Sequence, residues 1–261
     1  MTRLPLQDCT IVVTRPTGQA GNLIDVLENA GATVVHFPVI EITAMPEQER
    51  LLEQTKQLGT YDIVIFISRN AAIYGIDLLQ QQGSWPKNTQ IAAIGNGTAL
   101  QLRALGIDTN IISSTTANSE GLLSEPEMNA VKGKRILIVR GHGGRKKLAE
   151  TLRSRGAQID YFECYERSRP QIEADILSRL WDKNSLHGII LTSAEGLKNL
   201  YQMVNKNDLP RLNTTPLYVI SSTMVELCGK LGYKLTPVLM PSAHDEDVLE
   251  SVTAQCAVSA T

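Results

Sequence analysis

Residues 11–41, IVVTRPTGQAGNLIDVLENAGATVVHFPVIE, recur 125 positions later as residues 136–166, ILIVRGHGGRKKLAETLRSRGAQIDYFECYE. Nine of these 31 positions are identical, where about two are expected by chance at ordinary composition. The shared residues are structural landmarks: Arg15 and Arg140, Gly18 and Gly143, Leu23 and Leu148, Leu27 and Leu152, Gly31 and Gly156. Each copy reads as one β-α-β segment. A β-branched run, IVV or ILIV, is a strand buried on both faces. A Gly-containing turn follows, then a helix with leucines four apart, closed by Gly31 or Gly156. A second strand comes next, and strands alternating with helices mean a parallel sheet with right-handed crossovers.

The echo extends through the chain. IVIFISRNA (63–71) meets GIILTSAEG (188–196) at the same slide. IAAIGNGTALQLRALG (91–106) meets LYVISSTMVELCGKLG (217–232) one position further on, and SEGLL (119–123) meets DEDVL (245–249). The chain is therefore two copies of one α/β unit. Further strands are expected near 63–67, 91–94, 110–112, 188–191, 217–220 and 235–238. Two boundaries fit the repeat. One is a tandem cut near Ala130. The other is a crossing between domains at FPVIEI (37–42) and FECYERSRP (162–170), two extended segments that can pair as a connector. Periodicity does not choose between them.

At 261 residues, with 43% hydrophobic and 20% charged residues, there is material for two cores. The net charge of -2 is no footprint for nucleic acid, and any anion site must be built locally. Cys9, Cys164, Cys228 and Cys256 have no metal or redox spacing and read as reduced thiols. No apolar run approaches the ~18 residues of a membrane span, and MTRLPLQDC is not a signal peptide. The expected compartment is the cytoplasm. The last residues, AQCAVSAT (254–261), read as a frayed tail.

Ligands of an open parallel sheet bind beyond the carboxyl ends of its strands. Here those ends are alike: TRPTG (14–18), ISRNA (67–71), IGNGT (94–98), VRGHGGR (139–145), LTSAEG (191–196) and ISST (220–223). Gly and small hydroxyl residues leave backbone N–H groups open at a helix start, which favours a bound anion. Taken singly, each Ser, Thr or Asn is an ordinary N-cap; six such turns together suit a ligand with many carboxylates or phosphates. Arg140 and Arg145 are candidate carboxylate partners because guanidinium binds in bidentate fashion. GHGGR departs from a dinucleotide fingerprint, with Lys146 where the third glycine belongs. The four histidines are scattered without metal spacing. Tyr165, at a strand end between Cys164 and Glu166, is either a packing tyrosine or a proton donor.

VTRPTG (13–18), FISRNA (66–71), AIGNGTA (93–99), SEGLL (119–123), VRGHGGRKKLAETLRSRGA (139–157), Tyr165-Glu166-Arg167 and LTSAEGLKNL (191–200) together resemble the uroporphyrinogen-III synthase family, in its order and over nearly the whole chain. The resemblance implies the crossover arrangement. Residues 1–37 and 171–261 would form one flavodoxin-like α/β domain and 43–163 another, joined by connector strands 38–42 and 164–170 around a hinged cleft. It also implies a cofactor-free, metal-free cyclising lyase of haem biosynthesis. The substrate would be hydroxymethylbilane, a linear tetrapyrrole with acetate and propionate arms, closed with inversion of its last ring. Tyr165 takes the family's tyrosine position as the catalytic candidate. Arg15, Ser68, Gly95, Thr98, Arg140, Gly141, Arg145, Ser193, Ser222 and Thr223 are the substrate-binding candidates. The chain departs from the family at ISSTM (220–224), where a Gly-x-Thr-Thr-like turn is usual and Thr223 alone keeps a matching hydroxyl. The partners implied are the tetrapyrrole alone, with neither nucleic acid nor membrane, and a monomer meeting the preceding enzyme of the pathway only transiently. Two rival classes fit the same pattern: a non-catalytic two-domain binding protein, and a nucleotide-dependent transferase using GHGGR.

Overall fold

The structure is a computed structural model that describes residues 4–46, 49–80, 85–172 and 175–259. Its strands are β1 (Thr10–Val13), β2 (Thr33–His36), β3 (Glu41–Ala44), β4 (Ile63–Phe66), β5 (Gln90–Ala93), β6 (Ile111–Ile112), β7 (Arg135–Gly141), β8 (Gln158–Ser168), β9 (Gly188–Leu191), β10 (Leu217–Val219) and β11 (Val238–Leu239). The chain divides into two compact units, Met1–Glu41 with Ser168–Thr261, and Ile42–Arg167.

The first unit holds a five-stranded sheet in the order β11-β10-β9-β1-β2, every pair parallel. Its centre is β-branched: Ile11, Val13 and Ile190 pack with Leu23 and Leu27 of the helix Thr17–Asn29. That helix stops because Gly31, at φ +100°, takes the left-handed conformation that reverses the chain into β2. The helix Asp245–Ser259 covers the same core through Val248, Val252 and Cys256, four residues apart. The expected frayed tail at 254–261 is thus helical as far as Ser259, because this apolar spacing continues the buried stripe; Ala260 and Thr261 lie outside the described residues. The final strand sits at Val238–Leu239 rather than 235–238. Pro237 has no N–H to give a ladder, and Leu235 is exposed.

The second unit holds a six-stranded sheet in the order β3-β8-β7-β4-β5-β6, with all pairs from β8 to β6 parallel. Val64, Phe66, Leu137, Val139 and Phe162 fill one face. Ile63, Ile65, Ile136, Ile138 and Ile159 fill the other. A side chain of this size contributes about 1.5–3 kcal/mol when fully buried. The helix Lys147–Ser154 ends at Gly156, φ +89°, as its counterpart ends at Gly31. Under the sequence repeat, β6-β5-β4-β7-β8 corresponds strand for strand to β11-β10-β9-β1-β2. Among the described residues β3 has no counterpart. All four cysteines are free and buried.

Candidate active site

In the second unit the ends of β4, β7 and β8 lie side by side, since Phe66 pairs with Val139 and Gly141 pairs with Tyr165. Ser68 follows β4 and caps the helix Arg69–Gln80, its Oγ accepting the Ala71 N–H at 3.0 Å. The same Oγ is 3.1 Å from the Tyr165 hydroxyl. The Tyr165 ring is 3% exposed. It lies across Gly141, where an added Cβ would come within 2.6 Å of ring atoms. Tyr74 flanks it at 5.8 Å between centroids, and the Arg167 guanidinium stands 5.9 Å over the ring. Ser68, Gly141 and Tyr165, three candidates far apart in sequence, are thus one cluster.

Beside this cluster runs the turn 141–145. Arg140, 4% exposed, does not offer its guanidinium to solvent. Its Nε donates to the Gly141 carbonyl at 3.1 Å and its Nη1 to the Arg145 carbonyl at 3.3 Å. The group stacks 4.9 Å over Tyr161 and lies 4.0 Å from Glu163. Arg140 therefore shapes the turn from inside, while Arg145 is exposed at its tip. Glu163 meets the exposed His142 at 3.2 Å and the Gly143 N–H at 3.3 Å. Burial pushes the Cys164 thiol up to about 12, far from the range of a nucleophile. Gly95 precedes the helix Asn96–Ala104 so close to Ala117 that a Cβ would fall 2.5 Å from its methyl. Thr98 is buried in that helix. The Arg69 side chain runs past Gly97, where an added Cβ would lie 3.9 Å from it. Sequence reading passed over Arg69 and Tyr74, although Arg69 stands next to Ser68 in a turn singled out for anions.

In the first unit, Arg15 is bound to Asp245 at 2.6 Å and to the Ala243 carbonyl at 2.6 Å. It ties the end of β1 to the start of the last helix. Ser193 caps the helix Ala194–Met203 through the Gly196 N–H at 2.9 Å. The cap of the helix Ser222–Lys230 is Ser221, whose Oγ accepts from Met224 N–H. Ser222 and Thr223 lie in the first turn with exposed side chains, and the Thr223 hydroxyl is 2.9 Å from Ser221 Oγ. Among the described residues, no group of three or more His, Cys, Asp or Glu is placed to hold a metal ion. Among them too, no helix is long and apolar enough to cross a membrane.

Comparisons with known proteins agree on one family. The family described as uroporphyrinogen-III synthase HemD (HEM4) matches residues 22–249. The uroporphyrinogen-III synthase of Escherichia coli (strain K12) is 31% identical over 227 residues, 86% of this chain and 92% of that protein. The Salmonella typhimurium protein of that name is 32% identical over 231 residues, again covering 86% and 92%. Two solved structures share the fold at low identity. A mutant uroporphyrinogen III synthase from the extremely thermophilic bacterium Thermus thermophilus gives a TM-score of 0.63 at 14% identity, covering 96% of this chain and 99% of that one. The uroporphyrinogen-III synthetase of Helicobacter pylori 26695 gives 0.57 at 16%, covering 97% and 100%. The architecture of helix-flanked parallel sheets and the family match over most of the length lead to the same place: this chain belongs to the uroporphyrinogen-III synthase family.

Proposed function

We propose that this chain closes hydroxymethylbilane to uroporphyrinogen III, inverting the terminal pyrrole ring and releasing water. The observation that carries the reading is the family match over residues 22–249, which contains every candidate residue except Arg15. In this reading the bilane loses its hydroxyl to give an electrophilic azafulvene. The last ring attacks it through its substituted carbon, and the resulting spiro centre breaks and rejoins with that ring inverted. Pyrroles are nucleophilic already, so the protein's work is to hold one folded geometry and to protonate the leaving hydroxyl.

The Ser68–Tyr165 pair supplies the proton. Ser68 accepts from Ala71 N–H and can turn its own proton to Tyr165, 3.1 Å away. The phenolic proton is then free for the departing oxygen. Arg145, Ser222 and Thr223 have exposed side chains and are the binding candidates we keep for the acetate and propionate arms, with backbone N–H groups at the helix starts. Arg15, Arg140, Gly95, Thr98 and Ser193 serve by shaping those turns. We read each unit as flavodoxin-like, since the chain order of the first sheet is 2-1-3-4-5, with domains and connector strands near 38–42 and 164–170. We further propose that the protein works in the cytoplasm, where free thiols stay reduced. There it acts as a monomer receiving the bilane from the preceding enzyme, because a bilane left in water closes without inversion.

Isomer analysis tests this. Hydroxymethylbilane is generated in situ, the protein added, and the oxidised type I and type III porphyrins separated. A shift to type III that scales with protein is expected. Persistence of type I with a folded sample refutes the activity and favours a binding protein.

A further inference from the structure

Side chains alternate between faces along a strand. On that rule β8 sends Ile159, Tyr161 and Glu163 to one face of the sheet and Phe162 and Cys164 to the other, and Tyr165 belongs with the first set. It is found with the second. Tyr165 packs with Phe162 and Cys164, whereas Ile159 and Tyr161 pack on the opposite side. The ladder shows the cause. Arg140 pairs with Glu163, but Gly141 pairs with Tyr165, so the register slips between Arg140 and Gly141 and Cys164 is passed over. This is a β-bulge, uncommon between parallel strands and a known means of re-aiming a side chain.

The bulge is pinned on three sides. The Cys164 carbonyl accepts from Met45 N–H at 3.0 Å. Its thiol donates to the Arg140 carbonyl at 3.5 Å and approaches the Ala71 carbonyl at 3.8 Å. Beyond it, the Tyr165 carbonyl accepts from His142 N–H at 2.7 Å, which resumes the ladder. Gly141 supplies the space, since its missing Cβ is what lets the ring lie across it. Ser68 comes two residues after Phe66 and lies on Phe66's face. An unbulged β8 would send the phenol away from it.

We propose that the extra residue Cys164 and the vacancy at Gly141 are positioning elements for the reaction: together they turn Tyr165 through the sheet and set its hydroxyl on Ser68. The inference rests on the role proposed above for Tyr165. A double-mutant cycle separates it from a general packing effect. Gly141→Ala keeps the bulge but displaces the ring, and is expected to lower kcat about 100-fold while KM changes less than about 2-fold. Placed on Tyr165→Phe, the same substitution is expected to cost under about 3-fold, because the hydroxyl it misplaces is already gone. Equal losses in both backgrounds overturn the inference. Full activity in Tyr165→Phe defeats the reading of Tyr165 instead, and the bulge is then judged on the ring's place alone. For that, the ring-current shift of the Gly141 α-protons is recorded by NMR in the parent and in a chain lacking Cys164. Loss of the shift without Cys164 is expected, and its retention overturns the inference. Should the deletion not fold, the same shift in Gly141→Ala at its remaining α-proton decides, with an unmoved ring the refuting result.

Discussion

Replacing Arg140 by alanine tests whether this guanidinium meets a ligand or holds the chain. Its two hydrogen bonds, at 3.1 and 3.3 Å, go to the carbonyls of Gly141 and Arg145. Bonds from a charged donor contribute about 1.5–3 kcal/mol each, and these distances put both near the lower figure. Stacking over Tyr161 adds roughly 0.5–1 kcal/mol. Removing a buried charge returns part of its desolvation cost, which leaves a net loss of about 3 kcal/mol. With a urea slope of about 2 kcal/mol/M, the midpoint falls by about 1.5 M. The chain provides its own reporters, because its two tryptophans, Trp85 and Trp181, lie in different units. In a Trp181→Phe background the Trp85 emission follows the unit that contains Arg140. The expected outcome is an early Trp85 transition, with the Trp181 transition unmoved in the reciprocal Trp85→Phe background. An unchanged Trp85 midpoint together with a raised KM for the bilane would refute the reasoning and return Arg140 to the ligand.

Three further outcomes are expected. Tyr165→Phe lowers kcat for type III formation by about 100-fold or more with only a small change in thermal midpoint; turnover near that of the parent would remove the phenol from the chemistry. Gly31→Ala, at φ +100° with Leu4 Cβ 2.8 Å from the new methyl, costs more than Gly106→Ala, at φ +80° in open space. We expect about 2–3 kcal/mol against about 1, read from the Trp181 and Trp85 transitions respectively, and equal costs would deny the clash. Burial keeps the Cys164 thiol protonated up to about 12 against an ordinary 9.0. The unfolded chain sheds that proton first, so stability present below pH 9 declines as pH rises toward 12. A Cys164→Ala chain should show a shallower alkaline fall in the Trp85 midpoint, and an identical fall would assign it to other groups.

Both sheets were legible because duplication repeats the rule that builds them: β-branched runs, leucines four apart, and a glycine where φ must turn positive. Gly31 and Gly156 do what their spacing announced. The turns after the strands were legible as turns, but not which of their side chains stay available. Arg140 and Arg145 are five residues apart in one motif, yet one is buried and one exposed, and only tertiary packing distinguishes them. Ser221, left out of the candidate set, is the cap of that helix, and its Oγ lies 2.9 Å from the Thr223 hydroxyl. The bulge in β8 was invisible because alternation tells which face a residue takes only when no residue is skipped, and nothing in ECYE marks Cys164 as the one passed over. The end of the last helix was missed for a simpler reason. Cys256 continues the spacing of Val248 and Val252, but the small and polar residues around it made 254–261 read as a frayed tail.

The arrangement of the two sheets has a consequence for how the chain is made. The segment Ile42–Arg167 is continuous, so a ribosome delivers that unit whole. The other unit is interrupted: β1 pairs with β2 on one side, but its partner on the other is β9, Ile11 against Gly188. At roughly 5–20 residues per second, about 8–30 s pass between the synthesis of β2 and that of β9. During that interval Ile11, Val12 and Val13 of β1 have β2 on one side, an open edge on the other and an incomplete core. The later-begun unit can finish folding first, and the order of completion runs opposite to the order of the first strands. The nascent chain is most exposed to misassociation while this early β-α-β piece waits. Substitutions that weaken it should be felt as a loss of soluble yield before they are felt as a loss of stability in the finished protein.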